Sequence, residues 1–176
     1  MFKIETKRLI LRDMTPNDEP DFIAMSQDVK YQRFYDESDC DPNKYKELTY
    51  LFIAQASENP RTSYQLAVEC KESSQFVGTV CLRLEDNKQA SMGCAFSRAS
   101  QGRKLSYEAA LALADFGFSK LGVHRIYAET ISKNLPAINL CKSLGMRQEA
   151  HLIEHRFFKN QWWDTVILAM LRTEWL

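Results

Sequence analysis

Apolar and polar positions along the chain change period several times, and each change marks an element. Arg8 to Arg12 alternates as a first strand and stops at Thr15-Pro16-Asn17-Asp18, where Asn17 or Asp18 could cap a short helix running to about Met25. Tyr31 to Asp41 is irregular, mixing aromatic and acidic residues in the manner of a binding loop. Cys40 or Asp41 then precedes Pro42, and Tyr45, Leu48 and Phe52 recur at helical spacing up to about Ser57. Three alternating runs follow. Tyr64, Leu66, Val68 and Cys70 interleave with Gln65, Ala67 and Glu69. Val80, Leu82 and Leu84 oppose Cys81 and Arg83, and Ala90, Met92, Cys94 and Phe96 mark the third run. Short polar turns between such runs predict an antiparallel meander.

Helical spacing then returns. Leu105, Ala109, Ala112, Leu113 and Phe116 predict a long helix over 104–121, and His124 to Ile131 reads as a strand. A shorter helix follows, with Asn134 as N-cap, Pro136 in its first turn, and Ala137, Leu140, Cys141 and Leu144 on one face. Gly145 is suited to a left-handed helix end. Arg147 to Lys159 and Trp162 to Leu171 predict a hairpin around Asn160. The whole is one α/β (α+β) domain over 1–176. Its mixed sheet has about seven strands, with an antiparallel front and a β-α-β-α back.

Composition narrows the class. A chain of 176 residues with 45% hydrophobic positions can bury one sizeable core. The 23 basic and 23 acidic residues cancel, so neither nucleic acid nor an anionic membrane is indicated as a partner. No apolar run approaches the roughly 18 residues of a membrane span, and no signal-peptide pattern opens the sequence, so a cytoplasmic location is expected. The five cysteines are scattered without a CxxC pair, which suits reduced thiols used as small apolar residues. His124, His151 and His155 show no ligand spacing with them, so no metal is expected.

The stretch Ser100-Gln101-Gly102-Arg103-Lys104-Leu105-Ser106 joins a strand to the long helix. A helix start presents unpaired N–H groups and a partial positive charge. Arg103 and Lys104 at that entrance make an anion site for phosphate groups, set against an ordinary loop with solvated basic residues. A P-loop is excluded because GxxxxGK[ST] spacing is absent.

Several motifs in order resemble the GNAT superfamily of acyl-CoA N-acyltransferases, nearest the RimJ/RimL-like ribosomal-protein N-acetyltransferase branch. Thr6-Lys7-Arg8-Leu9-Ile10-Leu11-Arg12 is similar to that branch's TxRLxLR opening. Met92-Gly93-Cys94-Ala95-Phe96 leads into the anion loop, and Asn134-Leu135-Pro136-Ala137 leads to Lys142-Ser143-Leu144-Gly145-Met146. Trp163-Asp164 and Glu174-Trp175 resemble the branch's ending.

The resemblance implies an acetyl-CoA-dependent N-acetyltransferase acting on a primary amine, a protein N-terminus or a small molecule. It implies a splay between strands 90–96 and 124–131 that takes the pantetheine arm. Phe96 and Ser97 would serve through their backbone, the former with its ring in the core. Gln101, Gly102, Arg103, Lys104, Leu105 and Ser106 would cradle the pyrophosphate, and Asn134 would touch the cofactor. Lys104 stands where the family expects glycine. Tyr31, Phe34 and Tyr35 would wall the acceptor site, and a homodimer is compatible with the resemblance. Cys141 stands where many members carry a tyrosine that protonates the leaving thiolate, but it also lies on the helix's packing face. Ser91 replaces a common glutamate, leaving Glu129 and Glu154 as candidate bases; Glu154 is preferred, beside His151 and His155. The alternative is a GNAT-like module that binds acyl-CoA without chemistry.

Overall fold

The computed structural model describes residues 1–175 and contains one eight-stranded sheet flanked by four helices. Its strands are β1 (Lys3–Glu5), β2 (Leu9–Asp13), β3 (Ser63–Cys70), β4 (Gln75–Glu85), β5 (Gln89–Phe96), β6 (Arg125–Ile131), β7 (Arg147–Phe158) and β8 (Gln161–Leu171). The helices are α1 (Glu19–Ser26), α2 (Pro42–Gln55), α3 (Leu105–Ser119) and α4 (Leu135–Ser143). Strand order is β1-β2-β3-β4-β5-β6-β8-β7, and every neighbouring pair is antiparallel except β5 with β6.

One strand more than expected is present. β1 has three residues with Ile4 alone at its centre, too short for any alternation, and it forms by pairing with Arg12, Leu11 and Ile10. The hairpin turn is Lys159-Asn160, both with φ near +50° (51° and 55°), the two-residue turn whose twist suits antiparallel strands.

Two apolar layers follow from strand alternation. On one face, Leu66, Val68, Val80, Leu82, Ala90 and Met92 pack against Leu105, Ala109, Leu113 and Phe118 of α3 and against Ile138 and Cys141 of α4. On the other, Ala67 meets Met14, Phe22, Met25 and Tyr45 beneath α1 and α2. At the start of α1, Asp18 is not a side-chain cap. Thr15 N–H donates to it at 2.8 Å, and the Arg12 guanidinium holds it with both nitrogens at 2.8 and 2.9 Å. Asp41, rather than Cys40, caps α2 by accepting from Asn43 N–H at 2.8 Å. No helix among the described residues is long and apolar enough to cross a membrane.

Candidate functional site

β5 and β6 pair only through Gln89–Ser91 and Arg125–Tyr127. Beyond that point β5 stays with β4 as far as Phe96 opposite Gly78, and β6 stays with β8 as far as Ile131 opposite Thr165. The two parallel strands therefore part toward their C-terminal ends. Each feeds a helix there, α3 from β5 and α4 from β6, so two helix N-termini flank the opening. Ligands of open sheets bind outside such strand ends. A cleft of about 480 Å³ fills the gap, lined by Gly93, Cys94 and Ala95 on one wall and by Ala128, Thr130 and Asn134 on the other.

Register fixes which backbone groups face this gap. Ser97 N–H donates to Val77 O at 2.9 Å, and the β4–β5 register is unbroken. Alternate residues of an antiparallel strand bond to the same neighbour. Ser97, Ala95 and Gly93 therefore bond to β4, and Phe96, Cys94 and Met92 turn their N–H and C=O groups toward the gap. The Ser97 N–H is consumed by β4 and cannot serve a ligand, which corrects the expectation for Ser97. The Phe96 ring is buried, and its backbone faces the opening.

The loop between β5 and α3 is shaped by two left-handed residues, Gly102 at φ 79° and Lys104 at φ 57°. Lys104 thus adopts the conformation that glycine would supply, rather than forcing another path, and it precedes the first residue of α3. From Gly102 to Tyr107 the backbone N–H groups find no acceptor among the described residues. Arg103 has only an exposed contact with Glu72 at 3.5 Å. Leu105 is buried in the core and anchors the helix start, while Ser97 and Ser100 hydroxyls meet at 2.8 Å and Gln101 Nε2 reaches Phe96 O at 3.5 Å. Consecutive unpaired donors with two cationic side chains suit a pyrophosphate.

An anchor for this loop comes from the other end of the sequence. Glu108, in the first turn of α3, accepts from Thr6 Oγ1 at 2.6 Å, Arg8 N–H at 2.8 Å and Arg8 Nε at 2.7 Å. Arg8 Nη1 also donates to Arg103 O at 3.0 Å. Partial burial pushes the Glu108 carboxyl up, but these donors outweigh it and hold the group below the usual carboxylate range. The motif Thr6-x-Arg8 was visible in the sequence; its partner some 100 residues away was not.

Across the gap, Tyr31 and Tyr35 line the cleft, their rings stacked 5.1 Å apart, and the Tyr31 and Tyr45 hydroxyls meet at 2.9 Å. Burial pushes the Tyr45 hydroxyl up to about 12. Phe34 lines an adjoining hollow of about 390 Å³ with Tyr35, Glu129 and Arg156, and packs edge-on against Trp163. Tyr31 and Tyr35 thus border the cleft itself, and Phe34 borders the hollow beside it. Asn134 lines the cleft but does not cap α4; its Nδ2 donates to Thr130 Oγ1 at 3.1 Å.

The two expected catalytic side chains fare differently. Glu154 does not line the cleft. β7 bulges between Leu152 and Arg156, Glu154 adopts φ 47°, and its N–H is tied to Asp164 Oδ1 at 2.8 Å. Asp164 also holds His151 at 2.9 Å, and His155 meets Thr165 Oγ1 at 3.0 Å, so both imidazoles are engaged along the hairpin. Glu129 is the carboxylate that reaches the cleft, with Arg156 Nη2 at 2.8 Å. Cys141 lines the cleft from α4, but burial pushes its thiol up to about 11. Solvent reaches Cys94 through the cleft, yet its recessed position pushes that thiol up to about 12. Cys94 is therefore not the packing residue expected.

The sequence matches the Acetyltransferase (GNAT) domain family over residues 8–147, and the chain belongs to that family. It is an N-acetyltransferase that uses acetyl-CoA. It is 27% identical to an uncharacterized N-acetyltransferase, p20, from Bacillus licheniformis, covering 99% of each chain. It is 34% identical to an uncharacterized N-acetyltransferase, YnaD, from Bacillus subtilis (strain 168) over 48% of this chain, a match that spans about half (49%) of that relative's length. Among solved structures, the ribosomal alpha-N-protein acetyltransferase RimL in complex with coenzyme A superposes with a TM-score of 0.85 at 14% identity, covering 97% of this chain and 98% of that one. Spermidine N-acetyltransferase from Vibrio cholerae, in complex with CoA and spermine, gives 0.81 at 20% identity, covering 96% and 98%.

Proposed function

We propose that the protein transfers an acetyl group from acetyl-CoA to a primary amine by direct attack, with both substrates bound together in the β5–β6 cleft. The observation that carries this reading is the opening itself: two parallel strands part, and a loop rich in unpaired N–H donors begins where β5 ends. Acetyl-CoA, when bound, supplies the thioester acetyl group. The N–H groups of 102–107, with the Arg103 and Lys104 side chains, bind the pyrophosphate. The gap-facing N–H groups of Cys94 and Phe96 are the donors available to a developing oxyanion, each worth about 2.7–4 kcal/mol in such sites.

Glu129 accepts the amine's proton, directly or through water, since Glu154 lies outside the cleft. Cys141 is a packing residue. A thiol raised to about 11 is a weaker acid than an ordinary thiol near 8.5, so protonating a thiolate from it is uphill. Cys94 and Cys141 are both held protonated, which disfavours a covalent acyl-cysteine route. Amine-dependent release of free thiol from acetyl-CoA tests the reading. One acetamide formed per thiol released is expected; CoA binding without thiol release across a panel of amines would instead identify a non-catalytic binding module.

A further inference from the structure

The cleft continues from the gap across the α2 face of β3, β4 and β5. Its floor is a row in register, Gln65 beside Cys81 beside Gly93, followed by the row Ser63, Arg83 and Ser91. Tyr45, Leu48 and Phe52 of α2 roof it. Gly93 keeps the floor open, since a Cβ there would stand 3.2 Å from Cys81 Sγ.

Two polar side chains in this recess lack partners. Gln65 is 6% exposed as a residue, and its amide lines the recess without a hydrogen bond to the described residues, open to a ligand there. Arg83 lines the same recess and makes no ion pair among the described residues. The charged side chains that line the recess are Arg83, Glu129 and Arg156. Glu129 is paired with Arg156, while Glu85, next along the Arg83 face, lies outside the recess and accepts from the Tyr127 hydroxyl. Of the charges lining the recess, the one without an opposite partner is the Arg83 cation.

This charge lies at the end of the cleft away from the CoA loop. Arg83 pairs with Ser91, five residues before Phe96, which at about 3.3 Å per residue places it roughly 16 Å along the strand from the loop. A guanidinium there is poorly placed for the pyrophosphate.

We infer that the acceptor is a small amine that also carries a carboxylate, with its carboxylate held by the Arg83 guanidinium and the Gln65 amide and its amine directed toward Gly93 and Cys94. A guanidinium with an adjacent amide donor matches a carboxylate's two oxygens. A polyamine would instead place a second cation against Arg83. The roof over the recess favours a small molecule over a polypeptide end.

This inference rests on the acetyl-transfer reading, and the assay separates the two. Thiol release from acetyl-CoA is measured with matched pairs: glycine and glycinamide, 4-aminobutyrate and 4-aminobutyramide, 6-aminohexanoate and 6-aminohexanamide, beside cadaverine and a short peptide. For at least one pair the acid should have a KM at least about tenfold below its amide. Arg83→Ala should erase that preference by raising the acid's KM while leaving the amide's unchanged, and Arg83→Lys should restore part of it. Gln65→Leu should raise the acid's KM as well; Arg83 is exposed, so its variants stay informative if Gln65→Leu misfolds. Amides, cadaverine or the peptide matching or outperforming every acid would overturn the inference while leaving acetyl transfer intact. So would an equal effect of Arg83→Ala on acid and amide. No thiol release with any amine, while CoA still binds, would instead defeat the acetyl-transfer reading.

Discussion

Replacing Glu108 by alanine tests whether the N-terminal motif holds the CoA loop in place. The change removes three hydrogen bonds, at 2.6, 2.8 and 2.7 Å, and leaves the Arg8 N–H without an acceptor, while the Thr6 hydroxyl falls back on Leu9 O at 3.3 Å. Each part-buried donor left unpaired costs about 1 kcal/mol, at the low end of the usual range. The Arg8–Glu108 ion pair adds less than about 1 kcal/mol, because the Arg8 side chain is 42% exposed and screened by solvent. The sum is about 1–2 kcal/mol, or a fall in Tm of roughly 2–8 °C for a chain of this size.

Acidity gives the effect a signature. Glu108 is held below the usual carboxylate range, so its contribution is complete above the unfolded-state value near 4.3. It is lost as pH falls through the lower folded-state value. The Tm difference between wild type and variant should therefore be constant from about pH 7 to 5 and shrink below about pH 4. CoA affinity should fall with Tm, because Arg8 Nη1 would no longer be steered onto Arg103 O. Thermal melts across pH with calorimetric titration of CoA decide it. A variant that melts within about 1 °C of wild type and binds CoA equally would refute the reasoning.

Further substitutions probe the loop, the end of β5 and the candidate base. Arg103→Glu with Lys104→Glu should weaken CoA binding at least about tenfold by calorimetry, with high salt weakening wild type and narrowing the gap, whereas Lys104→Gly should preserve binding because φ 57° suits glycine. Gly78→Ala places a Cβ 2.3 Å from Ala95 O and 2.9 Å from Phe96 Cα, so it should destabilise by about 1–3 kcal/mol in chemical denaturation and depress turnover by shifting the end of β5. Glu129→Gln should lower kcat by about 10²-fold and change the pH–rate profile, while Glu154→Gln should leave both unchanged; the reverse pattern would restore Glu154 as the base.

Periodicity made most of the architecture legible. The alternation of β3, β4 and β5 and the helical spacing of α3 and α4 are local signals, and the parting of β5 from β6 followed from resemblance to a family. What stayed hidden is what depends on distant contacts. β1 exists because β2 offers an edge, not because three residues alternate. Glu108 looks like an ordinary helix residue until Thr6 and Arg8 are folded onto it. The two-residue excess in β7 between Leu152 and Arg156 carries Glu154 out of the cleft, and no sequence pattern announces it. Asn134 has the residue type of a helix cap, but Thr130 takes its side chain. Gln65 and Arg83 each read as the polar side of an alternating strand; only the register with Gly93 and Ser91 shows that they face one recess.

The most direct test of the site is a crystal structure of the protein with CoA. The pyrophosphate should lie on the N–H groups of 102–107 beside Arg103 and Lys104, and the pantetheine arm should run between β5 and β6, bonded to the gap-facing backbone of Phe96 and Cys94. A CoA molecule bound elsewhere, with the β5–β6 gap left to solvent, would contradict it.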